Sequence, residues 1–227
     1  MKKQQIAKLG VTLGLVAAVG VGGTLAILSQ TAGPVTNTFA VGENIESGDF
    51  SLKETPVKYE NGNYVKDGNK LTSTGNTYNN VLPKAILSKD PTVFFDAEKV
   101  SDMANVYMFV EVDGLDEMAS MGITVSEEDW GTNWKKMNAD GTVSTDAFNS
   151  ATLDGIYVYD AGSSNYKIDP SELNATEYKL PAVFTELNVS STFDTSSGLN
   201  NVVINACAVQ YDNVGLAEAY REATAKF

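Results

Sequence analysis

Apolar and polar residues alternate with a period of two over much of the chain, and the alternation predicts β-strands. The clearest run covers residues 105–114, Asn-Val-Tyr-Met-Phe-Val-Glu-Val-Asp-Gly. Val106, Met108, Val110 and Val112 fall on one face, and Tyr107, Phe109 and Glu111 on the other. That is the pattern of a central sandwich strand, covered on one side and amphipathic on the other. Residues 201–211 alternate in the same way, with Val203, Asn205, Cys207, Val209 and Tyr211 opposed to Val202, Ile204, Ala206 and Ala208. Further strands are expected within 37–42, 50–55, 57–66, 82–95, 153–159 and 178–190. Asn61-Gly62 lies between Tyr59 and Tyr64 and signals a two-residue hairpin turn, because both positions accept positive φ. Pro83 and Pro91 lack the ladder N–H donor and assign their segments to strand ends or sheet edges.

Three stretches depart from this period. Residues 216–227 consist of strong helix formers, and Leu216, Ala219, Tyr220 and Ala223 lie on one helical stripe. Residues 122–130 are expected to begin as a strand and end in a turn carrying Trp130 and Trp134, whose spacing of four would put both indoles on one helical face. Residues 67–80 and 163–176 are rich in polar residues and read as loops. Many short strands, turn signals between them and one closing helix predict an all-β, antiparallel β-sandwich with short helices in its connections.

The apolar run at the start has another purpose. Lys2, Lys3 and Lys8 precede an uncharged stretch that lasts until Glu43, the layout of a secretory signal peptide. Small residues around Thr24 and Ala26 predict cleavage between Ala26 and Ile27. The run is also long enough for an uncleaved membrane anchor, but its glycines weaken a membrane helix and the cleavage signal favours removal. The expected organisation is a signal peptide over 1–26, a flexible polar segment broken by Gly33-Pro34 over 27–36, and one sandwich domain over 37–227.

Charge and composition narrow the chemistry. The whole sequence carries a formal charge of −13, and removal of the three signal-peptide lysines makes the remainder three units more negative. Such a surface repels phosphate backbones and anionic membranes, so neither nucleic acid nor, after cleavage, the membrane is an expected partner. Histidine is absent, which takes away the commonest general base and transition-metal ligand. No zinc-peptidase motif can be written without it. The single cysteine, Cys207, forms no disulfide within the chain and reads as a buried, inert thiol in an apolar strand. Acidic clusters at 113–117 and 127–129 offer oxygen ligands of the kind that suit calcium, with Asp113 and Asp116 as the candidate pair, although neither cluster matches an EF-hand loop. Trp130 and Trp134 are read as core residues in preference to a sugar-stacking platform. No catalytic residue and no required cofactor is expected.

A series of short motifs, retained in order along the chain, resembles the TasA and camelysin family of Gram-positive bacteria. They are Gly-Gly-Thr-Leu-Ala-Ile-Leu-Ser at 22–29, Asn-Thr-Phe-Ala-Val-Gly at 37–42, Leu82-Pro83, and Lys-Asp-Pro-Thr-Val at 89–93. Val-Tyr-Met-Phe-Val at 106–110, Trp130, Asp-Gly-Ile-Tyr-Val-Tyr at 154–159, Leu-Pro-Ala-Val-Phe at 180–184 and Ala-Cys-Ala-Val-Gln-Tyr at 206–211 continue the series. The chain departs from the expected pattern at Pro83-Lys84, where Pro-Gly would be usual. The resemblance implies a jelly-roll sandwich, export through a signal peptidase of the SipW type, and a place in the extracellular biofilm matrix or at the cell surface. It further implies a homopolymer built by donor-strand exchange, with a matrix accessory protein as a second partner. The new N-terminus, including Ile27, Leu28 and Val35, would then be the polymerisation segment. A secreted camelysin-like metal-dependent peptidase and a monomeric surface adhesin are the alternative functions.

Overall fold

The computed structural model describes residues 29–32, 48–69, 71–162, 165–173, 178–195 and 199–227. The signal peptide, the cleavage pair Ala26 and Ile27, Leu28, Val35 and the strand expected at 37–42 lie outside them.

The predicted all-β, antiparallel sandwich is what the chain forms. Among the described residues twelve strands run in order: β1 (Ser29–Ala32), β2 (Phe50–Lys53), β3 (Val57–Glu60), β4 (Asn63–Lys66), β5 (Ile86–Ser88) and β6 (Thr92–Phe95) come first. They are followed by β7 (Val106–Asp113), β8 (Ile123–Thr124), β9 (Trp134–Lys136), β10 (Gly155–Tyr159), β11 (Glu186–Val189) and β12 (Val203–Gln210). Helix α1 (Leu115–Ser120) and a 3₁₀ turn (Pro170–Glu172) sit in connections, and α2 (Leu216–Thr224) lies near the C-terminal end. No helix among the described residues is long and apolar enough to cross a membrane.

One sheet has the order β1-β12-β7-β10-β9 and a second the order β3-β4-β5-β11-β8, while β2 and β6 form a two-stranded ribbon. Among the described residues all strand pairings are antiparallel except β4 with β5, which meet in parallel at Tyr64 and Leu87. Two-residue periodicity decides which side chains fill the space between. Val106, Met108, Val110 and Val112 of β7 and Ile204, Ala206 and Ala208 of β12 join Leu87, Ile123, Phe184 and Leu187 in one continuous core. The hairpin turn forms where Asn-Gly requires it, with φ of 51° at Asn61 and 87° at Gly62, and sets β3 against β4 with Glu60 opposite Asn63.

Four local expectations need correcting. The second face of β7 is covered over its first half, where Tyr107 and Phe109 are buried with Val158, Cys207 and Val209 beneath Ala219 and Ala223 of α2, while Glu111 stays half-buried. The helix supplies an apolar stripe that strand periodicity alone could not announce, so the first sheet is packed on both sides. The acidic cluster at 113–117, read only as a source of oxygen ligands, runs into α1, where Leu115 and Met118 bury one side of a helical turn. Trp130 and Trp134 share no helical face, since Trp130 makes a bridge to Phe184 and Trp134 starts β9. Lastly, Ser29–Ala32, polar enough to be read as part of a linker, form a strand in register with β12.

Candidate assembly edge

β12 occupies the second position of its sheet. β7 pairs with it over eight residues, from Val203 opposite Asp113 to Gln210 opposite Val106. On its other side lies β1, with Ser29 opposite Val209, Gln30 opposite Ala208, Thr31 opposite Cys207 and Ala32 opposite Ala206. The chain therefore closes this edge of β12 with its own N-terminal segment. Only Ile27 and Leu28 stand between the predicted cleavage bond and β1. The sequence Ser-Gln-Thr-Ala contains no bulky apolar residue, and backbone ladder bonds are indifferent to which chain supplies the strand.

The β12 side of this pair is deeply packed. Ala206, Cys207, Ala208 and Val209 are all fully buried. α2 holds the outer layer through Tyr220, whose ring centre lies 6.5 Å from that of Phe109. The Tyr107 hydroxyl donates to the Val214 carbonyl at 3.1 Å, and its ring packs 4.8 Å from that of Tyr211. Burial, with a smaller contribution from Tyr211, raises the Tyr107 pKa. The phenol thus keeps its proton and can continue to donate.

A charge cluster built on the buried carboxylates of Glu54 and Asp90, unforeseen in the sequence, lies in the second sheet and the segments around it. Lys89 Nζ meets Glu54 Oε2 at 2.9 Å with both side chains nearly inaccessible, and Lys66 Nζ meets Asp90 Oδ2 at 2.8 Å. Asp90 also accepts from the Thr55 amide at 2.7 Å and the Thr55 hydroxyl at 2.8 Å. Burial pushes its pKa upward, but the bonds from Lys66 and Thr55 outweigh that push and leave it below the usual carboxylate range. The loop after the hairpin is drawn into the same network. Asn76 donates its amide N–H to Glu54 Oε1 and its Nδ2 to the Thr55 carbonyl, and it accepts from the Val57 amide. Tyr78 donates to the Ser88 carbonyl at 2.7 Å, and burial followed by the carboxylates of Glu54 and Asp90 raises its pKa strongly. The partners lie 35 positions apart in both Glu54–Lys89 and Thr55–Asp90, a separation no spacing rule reports. With its two lysines matched to two carboxylates, the cluster is a clamp that holds hairpin and loop to the sandwich.

The remaining candidates serve the chain itself. Asp116 Oδ1 accepts from the amides of Leu153 at 2.5 Å and Asp154 at 2.9 Å. Asp154 Oδ1 accepts in return from Leu115 at 2.7 Å and from Asp116 at 3.3 Å. These reciprocal caps fasten α1 to the start of β10, while Asp113 is exposed at the end of β7. Among the described residues no group of three or more His, Cys, Asp or Glu side chains is placed to hold a metal ion. Trp130 is buried and stacks on Phe184 at 6.0 Å with 12° between the planes. Trp134 is also buried and donates Nε1–H to the Pro181 carbonyl at 3.0 Å. Neither indole is presented as a flat platform. Cys207 is completely buried in the layer under α2.

Comparison of the chain with models of known protein families, with curated proteins and with solved structures returns no match.

Proposed function

We propose that the protein is a secreted structural subunit of extracellular matrix fibres, which assembles when the N-terminal strand of one copy completes the sheet of the next. The observation that carries this reading is the pairing of β1 with β12. The segment that cleavage would place at the mature N-terminus makes an edge strand, and it does so through backbone bonds that a second copy could supply equally well. Residues 33–49, fully extended, reach on the order of 55 Å, enough for β1 to leave its own domain and dock on a neighbour. Exchange of an identical element between protomers is a low-cost route to assembly. The ordered motifs that resemble the TasA and camelysin family support the same reading and add the jelly-roll winding, export by a SipW-type peptidase and a matrix location. The absence of histidine removes the His-Glu-x-x-His zinc-peptidase motif from the alternatives.

Electron microscopy of the purified mature chain tests the proposal. Filaments are expected from a protein beginning at Ile27, and deletion of residues 27–35 should abolish them while the sandwich remains folded. A truncated chain that still forms the same filaments would remove the N-terminal strand from the mechanism.

A further inference from the structure

The strand that the proposed assembly hands to a neighbour is, in the single chain, already seated on the edge that a neighbour's strand would need. We infer that β1 is a self-cap: by pairing with β12 of its own domain it blocks the acceptor edge, and its release sets when assembly begins. The inference rests on the donor-strand reading and adds its regulation.

The asymmetry of the two ladders on β12 carries the argument. β7 registers with eight residues of β12 and β1 with four. β7 is buried on both faces, with Val106, Met108, Val110 and Val112 in one core and Tyr107 and Phe109 in the other. β1 brings a short polar sequence and lies at the outer end of the sheet order. Of the two neighbours of β12, β1 is therefore the outer strand with the shorter ladder, the one whose release breaks the fewer backbone pairings. While it stays, the free subunit exposes no vacant backbone at Ala206–Val209, a device that blunts an edge against indiscriminate pairing. Once it leaves, the same four positions become a template for an identical strand, and the departing strand becomes the donor. One event thus creates both halves of the contact, so a capped subunit can neither give nor receive.

The register supplies the test. Thr31 lies directly opposite Cys207, and facing residues of an antiparallel pair have Cα atoms about 4.5–5.5 Å apart, within the range a disulfide bridges. A single substitution, Thr31→Cys, therefore lets the native cysteine lock the cap. In the purified mature Thr31→Cys chain, mild oxidation of dilute monomer should yield an intramolecular disulfide, detected as loss of both free thiols at unchanged mass class. The locked monomer should not form filaments, and it should not take up a fluorescent synthetic peptide of residues 27–36. Reduction should restore both properties to the level of the unsubstituted chain. Locked monomer that takes up peptide or polymerises as fast as reduced monomer would overturn the self-cap. So would failure of the disulfide to form in the folded monomer, because β1 would then not sit on β12. The donor-strand reading is tested separately by oxidising after assembly: a ladder of covalent oligomers supports exchange, and filaments linked only within single chains refute exchange.

Discussion

Lys84 occupies the left-handed region of backbone space, with φ 68°, at the third position of a tight turn closed by the Ala85 amide on the Leu82 carbonyl at 3.1 Å. Pro83 in second place and a positive φ in third define a turn that favours glycine at Lys84. The departure from Pro-Gly noted in the sequence is therefore a substitution at the one position of this turn where a side chain is penalised. Lys84→Gly is expected to raise the unfolding free energy by about 0.5–1 kcal/mol, the relief of strain being partly offset by the freer unfolded chain. Urea denaturation with an unchanged slope would register it, and a loss of stability would contradict the reading. Gly114 presents the opposite case. Its φ is 91°, and an added Cβ would collide with the Asn201 carbonyl, so Gly114→Ala should cost roughly 3 kcal/mol or more. A near-neutral effect in the same denaturation assay would show that the β7 to α1 corner can relax.

At the scale of elements, β7, β10, β12, the hairpin and α2 were legible because each carries its own period or turn signal. Phe50–Lys53 and the pieces of 82–95 were legible as strands for the same reason. β1 was not, since Ser-Gln-Thr-Ala has no alternation and its pairing depends on an edge supplied by residues far along the chain. The covered face of β7 was likewise hidden: Phe109 needs α2 from the other end of the chain to become fully buried. Phe109→Ala should accordingly destabilise by about 3–5 kcal/mol, as for a central core residue. A cost below about 1 kcal/mol in thermal unfolding would mean that α2 is not docked. The charge clamp belongs at this scale too, because its members were visible only as separate polar residues. Asp90 has a folded-state pKa below its ordinary value, so its stabilising contribution is complete above the ordinary carboxylate pKa of about 3.9 and is lost as pH falls through the lower folded value. Asp90→Asn should remove that part of the acid-unfolding slope and lower stability at neutral pH by about 1.5–3 kcal/mol. An acid limb as steep as in the unsubstituted chain would assign it to other carboxylates.

The whole molecule combines a sandwich that has a helix packed over one sheet with an N-terminal strand in register with β12. In the proposed assembly the sandwich persists and β1 is the part exchanged. High negative charge favours solubility of single subunits, and contact between them must work against mutual repulsion, which salt screens. Filament formation by the mature chain is expected to be faster at higher ionic strength, followed by light scattering, with an opposite salt trend arguing for an attractive ionic contact between subunits. The central claim is that the strand beside β12 in the fibre comes from another copy. Two chains can be mixed before assembly, one carrying Thr31→Cys and Cys207→Ala, the other keeping native Thr31 and Cys207, and the filaments oxidised. Strand exchange predicts a disulfide-linked heterodimer joining position 31 of the first chain to Cys207 of the second, identified by mass spectrometry of the cross-linked peptide. Well-formed mixed filaments that yield no such cross-link, with both thiols remaining free, would contradict it.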